Sequence, residues 1–143
     1  MRLQVLGLVA GLAGLGISVY LTVVHYSTIA LACPANAVVN CEQVLASSFA
    51  VIGGSGVPTS AAGIVWFVVS SALAAATWRA RGPRLARAQL AWSAIGLVTV
   101  VYLVYVEIVL LGAVCIWCSA AHLMVLVIFL VALARLPEDR VAS

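Results

Sequence analysis

The sequence predicts an all-α fold: an integral membrane four-helix bundle with an outward loop that carries a short helix between the first and second spans. Three observations predict it. Of the 143 residues 66% are hydrophobic and 8% are charged, and none is lysine, far from the roughly one quarter charged residues of soluble domains. Four apolar runs, about Leu3 to Tyr26, Thr59 to Trp78, Leu85 to Leu111 and Cys115 to Leu136, reach the roughly twenty residues that about 30 Å of hydrocarbon requires. The arginines supply the third observation. Arg2 precedes the first span, Arg79, Arg81, Arg84 and Arg87 crowd the link between the second and third, and Arg135 and Arg140 follow the fourth. The other two connections have none, so the positive-inside rule puts both termini in the cytoplasm and all four cysteines outside the cell (inner) membrane. Residues 1–143 read as one membrane domain, a monomer in the lipid bilayer. The net charge of +3 is loop arginine, not a nucleic-acid surface.

The first span is too long for a cleavable signal, and losing it would leave three spans with the wrong parity for the arginines. It carries Gly7, Gly11, Gly14 and Ser18, a stripe of small residues on which another helix can pack closely.

Residues 27–58 form the only sizeable extramembrane segment. Asn40 followed by Gln43 has the form of a capping box and predicts a short helix from Cys41 to about Ser48. Cys41 then sits in a first turn, where free N–H groups favour a thiolate, while Cys33 beside Pro34 is the more accessible sulfur. Gly53, Gly54 and Gly56 let the chain turn back, and Pro58 leads into the second span. Trp66, Trp78 and Trp92 in the middle spans read as packing or interfacial aromatics, and His25 as interfacial.

Glu107 is the single acidic residue inside a predicted span, which marks it as a functional candidate. The fourth span opens at or just before Cys115, after Gly112 ends the third. Cys115, Cys118 and His122 follow at i, i+3 and i+7, so one face presents two sulfurs and, a turn deeper, an imidazole that can hydrogen-bond a ligand or accept a proton.

Four outward thiols in a short chain belong to an oxidising compartment where thiols pair. A CxxC at a helix start is a reducible arrangement, and two pairs suggest a relay that ends on a lipid-soluble acceptor such as a quinone. The rival reading is a metal carrier or sensor that uses the four cysteines for a soft ion. It is disfavoured because the CxxC lacks flanking polar ligands, and no metal is expected.

A loop pair with seven residues between its cysteines, Ser47 six positions after the second, a further helix pair, and CxxC opening the last of four helices together resemble the vitamin K epoxide reductase family over about residues 3 to 135. The resemblance implies an oxidoreductase that reoxidises a separate thioredoxin-like (DsbA-like) extracytoplasmic partner and reduces a quinone, whether menaquinone, ubiquinone or a vitamin K-like one. It implies that Cys33 takes the mixed disulfide with the partner, that Cys41 attacks Cys115, and that Cys118 faces the quinone. Ser47 matches a pocket serine, and Phe49 of the same segment is assigned to that pocket with Glu107. Two positions depart from the animal members: Thr59 stands for an asparagine and His122 for a tyrosine that hold the quinone oxygens.

Overall fold

In a computed structural model the chain forms the helices α1 (Arg2–Tyr26), α2 (Cys41–Leu45), α3 (Thr59–Arg79), α4 (Pro83–Tyr105) and α5 (Ile116–Val141). The structure describes residues 2–27, 29–34, 36–79 and 82–141, the last five by their backbone alone; Arg81 and the Arg140 side chain, both counted among the arginines above, lie outside the described residues. The four long helices are long and apolar enough to cross a membrane. α1 packs on α3 and α5, α4 packs on α5, and α3 and α4 touch along a shorter stretch.

Small residues set these helix contacts. Gly7, Gly11, Gly14 and Ser18 are all buried on α1. A methyl group at Gly14 would overlap the Phe67 ring of α3, and one at Gly11 would meet the Ser71 hydroxyl. Where lipid is as apolar as leucine, close backbone approach of this kind replaces hydrophobic burial as the source of packing energy. Large side chains such as Val9, Val65, Val98 and Leu123 accordingly face outward. Ala10, Phe67, Val125 and Ile128 fill the middle of the bundle.

The end formed by the N-terminus of α1 and the α3–α4 link is closed by a polar knot. Arg135, treated above as a residue following the last span, lies within α5 and is buried. Its Nη1 donates to Thr77 Oγ1 (2.8 Å) and Gln89 Oε1 (3.2 Å), while Gln4 Nε2 donates to the Thr77 carbonyl (3.3 Å). One residue from each long helix takes part. A buried guanidinium must find acceptors, and these neighbouring polar groups supply them in place of water.

At the opposite end α4 does not stop cleanly. It runs into a π-helical turn over Val106–Leu111, and Gly112, in the left-handed region at φ 61°, reverses the chain. The loop after α1 lies across this end. Val39 and Val114 form an isolated parallel bridge, with Asn40 N–H on the Val114 carbonyl (3.1 Å) and Val114 N–H on the Val38 carbonyl (2.9 Å).

Two local expectations are revised. The capping box is half formed: Asn40 Oδ1 accepts the Gln43 N–H (3.0 Å), but Gln43 Nε2 donates to the Leu111 carbonyl (3.0 Å) because Val114 already holds the Asn40 N–H. The short helix ends at Leu45, earlier than about Ser48, because Ser47 turns extended and Ser48–Ala50 form a separate 3-10 turn.

Candidate redox site

Four cysteines converge where the loop crosses the start of α5. Cys33 and Cys41 are joined by a disulfide, with Cα atoms 6.2 Å apart, and Cys115 and Cys118 are free thiols. Cys41 and Cys115 are both fully buried and share one cluster with Val44 and Ala113. The bridge between Val39 and Val114 explains their proximity: parallel pairing there sets Asn40 beside Cys115 and brings Cys41 to the head of α5. Cys33 is half-buried at the loop surface.

Cys115 does not belong to the first turn of α5 but stands immediately before it. There its carbonyl accepts the Ser119 N–H (2.8 Å) and its Sγ accepts the Cys118 N–H (3.4 Å), the bond an N-cap side chain makes. The Cys118 thiol beside it holds the Cys115 thiol below its ordinary value, against the opposing effect of burial. A sulfur whose thiolate is stabilised leaves readily from a disulfide.

Glu107 secures this turn from α4. Its backbone carbonyl accepts the Ala113 N–H (3.1 Å), and its carboxylate Oε2 accepts the Cys115 N–H (3.2 Å). It is buried on the inward stripe of α4, which runs through Ala86, Gln89, Ser93 and Gly96 and continues at the same spacing to residue 107. The π turn begins just before it, a feature often found at functional sites.

An apolar cavity of about 270 Å³ opens between the helices beneath the thiols. Cys118, His122 and Glu107 line it, together with Ser47, Phe49 and Thr59 from the loop and the start of α3. All the residues assigned from sequence to acceptor binding therefore border one space. The hydroxyl protons of two of them are already committed. Ser47 Oγ donates to the Val44 carbonyl (2.7 Å) and Thr59 Oγ1 to the Phe49 carbonyl (3.2 Å), so each offers lone pairs but no proton to a carbonyl-bearing ligand. Donors must come from elsewhere. The indole Nε1–H of Trp66, a residue that also borders the cavity, is buried with no acceptor among the described residues.

Sequence reasoning left three further contributors unassigned. His25, read as interfacial, also borders the cavity. Trp66, read as packing, does so too, because Gly96 behind it leaves room for its ring. Trp117, between the two cysteines of the CxxC, donates its indole N–H to the Ala32 carbonyl at 2.8 Å. Among the described residues no three His, Cys, Asp or Glu side chains come together as a metal site.

The family model for the vitamin K epoxide reductase family matches residues 5–133. The chain belongs to that family. A search of curated proteins finds no match. Membership, four membrane-length helices and the cysteine pairs make the protein a multi-pass membrane thiol oxidoreductase. The family is generally quinone-associated and generally works with a thioredoxin-like partner, and Cys118 lies at the edge of the apolar cavity.

Proposed function

We propose that this protein is a thiol:quinone oxidoreductase that reoxidises a thioredoxin-like extracytoplasmic protein and thereby supports disulfide formation in exported proteins. The carrying observation is the ordered set of four sulfurs: a loop disulfide at the surface, Cys41 buried in one cluster with Cys115, and Cys118 bordering an apolar cavity. The arginine-poor loop and the cysteines face outward across the cell membrane, and both termini face the cytoplasm.

A thiolate of the reduced partner attacks Cys33 and releases Cys41; the partner's second thiol then displaces Cys33, so the partner leaves as a disulfide and the loop pair is reduced. With the inner pair oxidised, the Cys41 thiolate attacks Cys115 Sγ and Cys118 leaves as the thiolate. The carboxylate of Glu107 keeps the Cys115 backbone in place during exchange. A quinone bound in the cavity supplies a two-electron, two-proton acceptor. Cys118, Phe49, Ser47 and Thr59 border that space, and His122, Glu107 and His25 are the titratable residues in its lining that we assign to proton transfer. Donation to a quinone carbonyl falls to His25, to His122 or to protonated Glu107, since Thr59 has spent its proton on Phe49.

Thiol titration tests this reading. Fully reduced protein should lose its four free thiols when menadione is added anaerobically, with quinol appearing in step. Thiols that survive excess menadione would overturn it.

A further inference from the structure

Among its described residues the segment that carries Cys33, between the end of α1 and Asn40, forms no helix. Next to Cys33 itself, hydrogen bonds with distant side chains fix one residue. The Ala32 N–H donates to Tyr20 Oη of α1 (3.2 Å), and the Ala32 carbonyl accepts the Trp117 indole N–H (2.8 Å). The two aromatic rings pack on each other with centroids 4.9 Å apart. Both backbone groups of the residue preceding Cys33 are therefore held by side chains, one of them from the centre of the CxxC. Among the described residues the other attachments of this segment to the bundle are the disulfide itself, the Val39–Val114 bridge six residues further on, and the packing of Leu31 and Cys33 against the cluster around Cys41 and Cys115.

The relay proposed above creates a moment at which the disulfide attachment is gone. Once Cys41 has attacked Cys115, it is bonded to the inner pair and Cys33 is a free thiol. To complete the cycle, the Cys33 thiolate must attack Cys41 Sγ: the Cys41–Cys115 bond breaks, the Cys33–Cys41 bond forms, and Cys115 leaves as a thiolate with the electron pair. No electrons are gained or lost overall. A loop free to drift would make this step slow, because exchange needs the attacking sulfur in line with the bond it breaks.

We propose that Trp117 and Tyr20 form a latch on Ala32 that keeps Cys33 beside Cys41 while the loop disulfide is open, and so act as positioning residues for resolution of the Cys41–Cys115 disulfide. The latch sits on the CxxC, so the pair that receives Cys41 also holds the sulfur that retrieves it. Neither residue borders the cavity, so the latch acts on thiol exchange and not on the acceptor. This inference rests on the relay reading.

Tyr20→Phe keeps its ring and deletes one hydrogen bond; Trp117→Phe deletes the other and replaces the indole with a smaller aromatic ring. With dithiothreitol as reductant and menadione as acceptor, samples are quenched in acid during turnover, alkylated, and mapped for disulfide-linked peptides. Tyr20→Phe is expected to accumulate the Cys41–Cys115 peptide about fivefold over wild type, the effect of one neutral hydrogen bond, and Trp117→Phe at least as much, with turnover lowered by a similar factor. In a Cys33→Ala background, where resolution cannot occur, Tyr20→Phe should leave single-turnover menadione reduction by the pre-reduced inner pair unchanged. Wild-type intermediate levels and rates in both phenylalanine variants would overturn the latch alone. A wild-type protein that neither turns over nor forms the Cys41–Cys115 linkage would overturn the relay and the latch with it.

Discussion

The two ends of the bundle treat polar groups in opposite ways. At the Arg135 end, Gln4, Thr77, Gln89 and Arg135 bond to one another in a closed set. At the cysteine end, Glu107, His122 and Cys118 border open space. A closed network rigidifies, whereas groups aimed into a cavity are available to something that binds there. The same four helices thus carry a fixed base and a reactive rim, and the gradient between them runs along a core of Ala10, Phe67, Val125 and Ile128.

The largest expected effect lies at the rim. Cys118→Ala should reduce menadione turnover to background while leaving thermal stability near wild type, as read by quinol formation and by unfolding in detergent. Appreciable turnover by this variant would break the assignment of Cys118 as the sulfur facing the acceptor.

The closed end should answer in the opposite sense. Arg135→Ala strands Thr77 and Gln89 and leaves a void, at a cost of about 2–4 kcal/mol of stability. Turnover per folded molecule should stay unchanged. If turnover instead collapses at full stability, the knot is part of the reaction and the contrast between the ends fails.

Glu107 belongs to both behaviours, because it caps a turn and borders the cavity. Glu107→Gln retains an acceptor for the Cys115 N–H and should keep wild-type stability while altering the pH profile of turnover. Glu107→Ala loses the acceptor as well and should fall about tenfold further in rate, consistent with losing a hydrogen bond to a charged group. Equal behaviour of the two variants would separate the capping role from proton transfer and discard one of them.

The smallest effect distinguishes anchoring from binding at Thr59. Its hydroxyl proton goes to the Phe49 carbonyl, so Thr59→Val should cost about 1 kcal/mol of stability and change the KM for menadione by less than about twofold. A large rise in KM without loss of stability would make Thr59 a ligand contact instead.

What the chain alone determined follows from local physics. Apolar run length sets the spans, the Gly7-Gly11-Gly14-Ser18 stripe dictates that a helix must pack there, and CxxC spacing puts two sulfurs at a helix start. The sequence resemblance to the family, carried by the cysteine spacing and Ser47, supplied the ordering of the sulfurs. What it left open depends on contacts between distant segments. The Val39–Val114 bridge decides that Cys41 comes to Cys115, and it diverts Gln43 from its expected cap to the Leu111 carbonyl. Arg135 looked like a loop cation because nothing nearby in sequence announces Thr77 and Gln89, which lie 58 and 46 positions away. Trp117 and Ala32 meet across 85 positions. A hydrogen bond requires its partners within a few ångströms and within a narrow angle, and only the folded bundle brings those partners together.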